Sequence, residues 1–481
     1  MDFEKALSAQ KTNIPGMLVF DVPVHGDSRG WFKENWQRAK MLQAGLPDFG
    51  PVQNNISFNT QRGVTRGIHA EPWDKFISVG AGRVFSAWVD LRDGESFGRV
   101  YTCELDPSKA IYVPRGVGNS YQALEDGTVY TYLVNAHWSP ERKGEYTFVN
   151  LADPSLGIQW PIPLEESVRS DADLHHPMLK DARRMDPLRI LVTGGDGQLG
   201  TALKKLTRRC GMGNWDFTDV GDLDITKYED LEKIDWDAYG VIINCAAFTA
   251  VDAAEIPENR SRVWDINVKG PANFAKIAIE HNLTLVHISS DYVFDGTIDQ
   301  HTEDEPFSPL GVYGQTKAAA DAVAAMAPRH YIVRTSWVVG EGNNFVRTMM
   351  SLSDRCALSA DDAAHLDAVT VVNDQFGRLT FTSTLAEAIV HLLETKAEYG
   401  TYNVTNSGDP TSWFEVAYEV FDRANGNGDA VRPVSTEQYA KNASAMPAPR
   451  PVRSGLNLSK IEATGYLPRD WRGELGEYMA M

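Results

Sequence analysis

The segment "VYGQTK" puts Tyr313 and Lys317 four residues apart, on one face of any helix that forms there. An ammonium beside a phenol favours the phenolate and makes the phenol a readier acid. Such a tyrosine can give a proton to an oxygen that is becoming an alkoxide. "SSDYVFDG" supplies Ser290, a hydroxyl at the end of the apolar run "LTLVHIS", able to hydrogen-bond the same oxygen. A carbonyl reduced in this way needs a hydride, and a place for the carrier stands upstream. Gly194, Gly197 and Gly200 have G-x-x-G-x-x-G spacing between strand-like "RILVT" and helical "QLGTALKKL". Glycines there let the backbone turn tightly and approach a pyrophosphate at a helix N-terminus. Asp219, after "WDFT", lies where an acidic residue would hold adenosine ribose hydroxyls. No Arg or Lys follows it immediately to pair a 2′-phosphate, which leans toward NADH while leaving NADPH open. A lone Y-x-x-x-K is ordinarily an exposed helix pair; the glycine turn and Ser290 in this order give it chemistry.

These residues need a parallel sheet to position them. "RILVT", "GVIINCAA", "LTLVHIS" and "HYIVRTS" are apolar runs suited to buried parallel strands, with helical stretches between them. That alternation predicts βαβ units in a doubly wound sheet. The rhythm begins only after "HHPMLKDARRMDP", so a domain boundary is expected near Asp186, giving domains 1–185 and 187–481. Before it the chain reads differently. "KFISVGAGRVFSAWVDLR" sets Phe85, Ala87 and Val89 on one face and Val84, Trp88 and Asp90 on the other; "AIYVP" and "TVYTYLVNAHW" continue the alternation. Short alternating runs broken by Gly, Pro, Asn and Asp predict an antiparallel sandwich or barrel.

The half from about 188 to 481 resembles the dTDP-4-dehydrorhamnose reductase family of extended short-chain dehydrogenases. The resemblance rests on "GGDGQLG", "NCAAFTAVDAAE", "SSDYVFDG", "VYGQTK", "RTSW", "GNNF", "NDQFG" and "PAPRPVRSGL". It implies an α/β Rossmann domain with a small substrate-binding subdomain. The implied cofactor contacts are Gly197, Gln198, Leu199, Asp219, Asp224, Ile225, Ala247, Phe248 and Thr249, beside the glycine turn at Gly194. It implies Ser290, Tyr313 and Lys317 as the catalytic trio, with Asp291 and Trp337 as substrate contacts. The stretch "SLSDRCALSADDAAHLDAVTVV" is longer than the family usually has. Arg378 and Leu379 replace a small residue and proline near the expected sugar-nucleotide side.

The first half carries "GDSRGWFKE", "VQNN", "TRGIHAEPWDK", "VDLR", "TYLVN" and "NLADPSLGIQWP". Together these resemble the dTDP-4-dehydrorhamnose 3,5-epimerase family over roughly residues 12–182, which implies an all-β jelly roll of cupin type. The implied chemistry is proton removal beside a ketone, where the carbanion becomes an enolate. His69 matches the base, Asp173 the carboxylate that orients it, Tyr132 the acid, and Lys75 the cation that steadies the enolate oxygen. Arg29, Glu34, Gln53, Asn55 and Arg66 match nucleotide and diphosphate contacts. Asn119 stands where the family has a pocket histidine, Lys143 where it has glutamate, Ala172 where it has lysine, and Trp138 at a tyrosine position. "GIHAE" offers one histidine without an H-x-H partner, so no metal is expected.

The two resemblances imply consecutive steps on a dTDP-linked 4-keto-6-deoxy sugar, with a homodimer formed through the first half. One alternative keeps the reductase and makes the first half a sugar-nucleotide-binding or dimerisation module. Another is a non-catalytic regulatory subunit, which the full Ser290, Tyr313, Lys317 set argues against. The 481 residues carry a net charge of −19, which disfavours nucleic acid and anionic membrane as partners. The four cysteines, Cys103, Cys210, Cys245 and Cys356, are scattered, and no apolar run reaches a membrane span. A cytoplasmic chain is the expectation.

Overall fold

The computed structural model describes residues 5–359, 369–442 and 447–480. The chain forms two compact units, Met1–Pro187 and Leu188–Met481. Residues 360–368, the middle of the long "SLSDRCALSADDAAHLDAVTVV" stretch, lie outside the described residues.

In the first unit the alternating runs become two antiparallel sheets. One has six strands in the order Ser8–Lys11, Leu18–Asp21, Lys109–Val113, Lys75–Ala81, Thr128–Val134 and Gln53–Asn59. The other has five, in the order Thr147–Phe148, Thr65–Ala70, Val117–Ala123, Val84–Asp90 and Val100–Leu105. Side chains of a strand point alternately to its two faces, so each sheet offers one face to the other. Ile77, Val79, Ile111 and Tyr130 of the first sheet meet Val84, Trp88, Leu105, Val117 and Tyr121 of the second in one buried cluster. The Val84–Asp90 strand is buried on both faces. Its Val89, with Leu91, Ile68 and Ala70, packs under Val149, Leu151, Leu156 and Met185. The segment after residue 149 therefore drapes over the second sheet, which is how Asp173 comes to the strand of His69.

The second unit is built on six parallel strands. Their order is Trp215–Thr218, Arg189–Thr193, Tyr239–Asn244, Thr284–Ser290, His330–Thr335 and Gly400–Asn403. Consecutive apolar residues point to opposite faces. Val192, Ile243 and Val286 pack on one side beneath the helices Gln198–Arg209 and Thr382–Thr395. Leu191, Ile242 and Leu285 pack on the other beneath Gly270–Glu280 and the end of Val312–Ala324. A sheet covered on both faces explains why these runs are apolar throughout. Numbered within the sheet, the order is 2-1-3-4-5-6, so the connection reverses direction between Arg189–Thr193 and Tyr239–Asn244. A ligand crevice belongs at that reversal, beyond the C-terminal ends of the strands. A separate cluster of Val339, Val346, Leu379, Phe381, Val416, Phe421 and Trp471 forms the core of a smaller lobe. No helix among the described residues is long and apolar enough to cross a membrane.

Candidate functional site

The glycine turn follows the first parallel strand. Gly194 has φ of +66°, and a Cβ there would lie 2.7 Å from the amide nitrogen of Ala246. Only glycine fits both that dihedral and that approach. A Cβ on Gly200 would run into the Gly194 carbonyl, so this position seats the helix against the turn. Gly197 is the N-cap of Gln198–Arg209 and no side chain caps that helix. Its first amides are thus available to an anion, with the positive end of the helix dipole behind them. The Gln198 amide oxygen is buried without a hydrogen-bond partner, and Leu199 is buried in the core. Asp219 Oδ2 accepts from the Asp196 backbone N–H at 3.0 Å, which holds the carboxylate at the rim of the turn. Asp224 is turned to Thr226, whose N–H and hydroxyl it accepts, and its neighbour Ile225 packs on Gly270. Ala247, Phe248 and Thr249 follow the third strand; Asn267 pins Phe248 by accepting its N–H at 2.7 Å. The same Asn267 donates to Thr316 at 3.1 Å, tying this turn to the helix of Tyr313. These residues fit a dinucleotide: an uncapped helix start, two glycines that a Cβ would block, and a carboxylate hydrogen-bonded to the turn.

Ser290 ends the fourth strand. Its hydroxyl donates to Asp291 Oδ1 at 3.0 Å, and Ser336 donates to Oδ2 at 3.1 Å. Burial pushes the Asp291 carboxyl up to about 6 despite these bonds. Tyr313 and Lys317 lie on Val312–Ala324, which packs so closely on the Ser290 segment that a Cβ on Gly314 would strike the Tyr292 carbonyl. The Tyr313 ring meets Tyr292 edge-on, with centroids 5.6 Å apart, and packs, as Phe248 does, against the cluster of Ala254, Val263 and Val312. The expected acidification of Tyr313 by Lys317 is not what the geometry gives. The Lys317 ammonium donates to the Ile288 carbonyl at 2.6 Å. Burial, with the charges of Asp291 and Asp321, pushes the Tyr313 phenol up to about 12, and Ser290 pulls against that rise. Burial also lowers Lys317 to about 8, with Asp321 the main group opposing it. The pair is therefore a protonated phenol beside an ammonium with a low hold on its proton. Trp337 has φ of +45° and stacks on Trp413 at 3.7 Å, and Gly377 is small because the Trp337 ring fills the space beside it. Arg378 points inward to the Leu456 carbonyl at 3.0 Å and Leu379 is core, so neither presents a new group to the crevice.

In the first unit a cleft of about 480 Å³ is lined by Arg66, His69, Trp138, Lys143, Tyr146 and Asp173, among others. His69 Nε2 lies 2.8 Å from Asp173 Oδ1. Ser170 caps the short helix Asp171–Leu174 by accepting the Asp173 N–H, which fixes the carboxylate. Burial raises the Asp173 carboxyl, but the His69 hydrogen bond and charge outweigh it and hold the group below the usual carboxylate range. Tyr132 and Lys75 come from the other sheet, with the Lys75 ammonium 5.3 Å from the Tyr132 ring centre. Burial, and then the Glu71 charge, pushes the Tyr132 phenol up to about 12. Tyr132 lies close to residues that line the cleft of His69: the Arg66 charge acts on its phenol, and its own charge acts on Tyr146. Asn119 lies beside His69 across the strands, and its Oδ1 accepts from Tyr130 at 2.9 Å. Gln53 donates to Asn55 at 2.8 Å on the inner face of the edge strand. Arg29 and Glu34 are not brought to this cleft: Arg29 pairs with Asp27 beside the tip of an exposed hairpin and Glu34 pairs with Lys40.

Residues 188–481 match the family model described as RmlD substrate binding domain. The chain belongs to that family. Residues 11–181 match a second model, dTDP-4-dehydrorhamnose 3,5-epimerase, so the RmlD-family portion is fused to an epimerase-family half. The first half is 52% identical over 191 residues to the Protein RmlC homolog of Streptococcus pyogenes serotype M6, covering 38% of this chain and 96% of that protein. The second is 37% identical over 303 residues to the dTDP-4-dehydrorhamnose reductase of Aggregatibacter actinomycetemcomitans, covering 60% of this chain and 97% of that one. A dTDP-4-dehydrorhamnose reductase from Bacillus anthracis, solved in complex with NADP, shares 33% identity. It covers 61% of this chain and 99% of its own, with a TM-score of 0.54. This RmlD-family chain is thus an enzyme with an isomerase half and an oxidoreductase half that uses NAD(P)H.

Three residues of the fusion escaped the sequence reading. Glu71 forms a buried ion pair with Lys75 one turn of sequence away, visible in "EPWDK" only as a charge pair. Asn267 of the RmlD-family half sits in an unremarked helix and carries no motif. His176 lines the cleft with its side chain 11% exposed and stacks on Phe148 at 4.6 Å. Its only signal was the doubled histidine after Asp173.

Proposed function

We propose that the two units catalyse consecutive steps on one dTDP-linked 4-keto-6-deoxy sugar: 3,5-epimerisation, then reduction of the C4 ketone, giving dTDP-L-rhamnose. In this reading Met1–Pro187 is a cupin-type jelly roll and Leu188–Met481 a Rossmann domain whose smaller lobe receives the sugar nucleotide. The observation that carries it is the pairing of His69 with Asp173 at 2.8 Å in an open cleft, in the same chain as Ser290 at a strand end and Tyr313 and Lys317 on the helix packed against it.

In the first step His69 Nε2 is committed to Asp173, so Nδ1 takes the proton from the carbon beside the ketone. Asp173 stabilises the imidazolium and holds one tautomer. Lys75 steadies the enolate oxygen. Tyr132, kept protonated by burial and by Glu71, returns a proton to the opposite face. Arg66, Gln53 and Asn55 face the nucleotide. In the second step the nicotinamide supplies the hydride to C4. Ser290 hydrogen-bonds the ketone oxygen, Tyr313 gives it a proton, and Lys317 offsets the charge left on the phenol. Gly194, Gly197, Gln198, Leu199, Asp219, Asp224, Ile225, Ala247, Phe248 and Thr249 hold the dinucleotide. Asp291 and Trp337 line the sugar side.

A homodimer through the first half is part of the same reading. The edge strand Gln53–Asn59 turns Ile56 and Phe58 outward at 67% and 60% exposure, and the nearby hairpin exposes Phe32. Arg29 and Glu34, remote from their own cleft, reach a nucleotide only from a second copy. The second reading, a binding module without epimerase activity, draws on Asn119, whose amide oxygen is already taken by Tyr130.

The test is NAD(P)H oxidation with dTDP-4-dehydro-6-deoxyglucose and no added epimerase. Turnover supports the two-step reading. Turnover only after an external epimerase is supplied leaves the first half as a binding module, as would unchanged coupled turnover in His69→Ala.

A further inference from the structure

The expectation of no metal rested on a lone histidine in "GIHAE". The fold supplies the second histidine from far along the chain. His69 Nε2, Asp173 Oδ1 and His176 each offer one ligand atom, and all three lie within 4.8 Å of one another. His69 Nε2 is 2.8 Å and His176 Nε2 4.0 Å from the shared Asp173 oxygen. Ligand atoms around tetrahedral zinc stand about 3.4 Å apart, as bonds of about 2.0–2.1 Å require. The observed spacing brackets that value, so side-chain rotation is enough to close it. Among the described residues no other group of His, Cys, Asp and Glu converges in this way.

We propose that His69, Asp173 and His176 form a site for Zn2+ that holds the epimerase half off. Three protein ligands facing a cleft leave a fourth position for water or another small ligand, as in open zinc sites. The His176 ring stacks on Phe148 and interacts with the Gly67 backbone, with its Nε2 toward the shared oxygen. Arg66, Lys143 and Arg169 also line the cleft. Their charge opposes any dication, and the two imidazoles are what favour Zn2+ over Mg2+, which takes oxygen ligands. The consequence for catalysis is chemical. Zinc on Nε2 of His69 requires the neutral ring to carry its proton on Nδ1, the nitrogen that must accept the substrate proton. The base is then occupied at both nitrogens. The site itself stands without the functional reading; only the inhibition rests on the role of His69 under Proposed function.

The full chain, freed of metal with a chelator and dialysed, is titrated with ZnCl2 by calorimetry, with MgCl2 as the comparison. One Zn2+ site and no Mg2+ heat are expected. His176→Gln should weaken zinc at least about tenfold. His175→Gln should not, because His175 is turned outward to the Asp171 carbonyl. Visible absorption of bound Co2+ reports tetrahedral coordination in the wild type independently of any variant. Zinc should also suppress solvent deuterium uptake by the ketosugar while sparing reduction of pre-epimerised substrate. Absence of a zinc isotherm, equal affinity in His176→Gln, or a Co2+ spectrum of six-coordinate type overturns the site. Absence of deuterium uptake in the metal-free enzyme overturns the epimerase reading and leaves the isotherm to decide the metal.

Discussion

Asp173 does two things for His69: it fixes which nitrogen faces the cleft and it supplies the charge that a protonated imidazole needs. An amide in its place keeps the shape and removes the charge. Asp173→Asn is therefore expected to lower deuterium uptake at the sugar by about 10²–10⁴-fold, the usual worth of one positioned base, with substrate affinity little changed. Lys317 gives the reductase its pH dependence. Burial lowers its ammonium to about 8, so the folded enzyme keeps that charge below pH 8 and loses it above. The Tyr313 phenol, pushed up to about 12, stays protonated across that range. Reduction of pre-epimerised ketosugar at saturating NADPH should fall about tenfold per pH unit above about 8, and Lys317→Met should be slow and flat there. At this scale the placement of Ser290 at a strand end and of Tyr313 and Lys317 on one helix was legible, because an apolar run and an i,i+4 spacing are local signals. The sign of the tyrosine shift was not legible. It depends on the buried charges of Asp291 and Asp321 and on the Ile288 carbonyl that takes the ammonium, and none of these follows from spacing.

At the scale of elements, the parallel strands could be read because burial on both faces demands apolar runs, and the glycine turn because its spacing is local. Gly194 tests that turn. Alanine there must adopt φ of +66° at a cost of about 1–2 kcal/mol and place its methyl on the Ala246 amide. Gly194→Ala is expected to weaken NADPH binding more than tenfold in a fluorescence titration while leaving deuterium uptake by the first half intact. Two features of the elements were not legible. The Val84–Asp90 strand carries apolar residues on both faces, and what covers the face of Val89 is the segment after residue 149. Alternation reports what one sheet can bury, not which distant segment lies on its other side. The edge strand Gln53–Asn59 reverses the usual pattern, with Gln53 and Asn55 turned inward and Ile56 and Phe58 outward. A polar interior suits a cleft that holds a nucleotide, and an apolar exterior suits a neighbour.

At the scale of the whole molecule, that neighbour decides whether the epimerase site is complete in one chain. Arg29 and Glu34 carry the charges that suit a sugar nucleotide, but each is paired on an exposed hairpin segment and absent from the cleft of His69. If a second copy supplies them, every site mixes residues of two chains, and a two-fold dimer has two such sites. Arg29→Ala and His69→Ala should then each be inactive alone in deuterium uptake. Co-expressed, they form mixed dimers as about half of the population, and in each mixed dimer one site collects both lesions and the other none. About a quarter of the wild-type rate should return. Sites made within one chain give no recovery at all, because every site then keeps its own lesion. The reductase half serves as the internal control: Ser290 ends a strand and Tyr313 and Lys317 lie on the helix packed against it in the same unit, so a mixture of Ser290→Ala and Tyr313→Phe should stay inactive in reduction under the same co-expression.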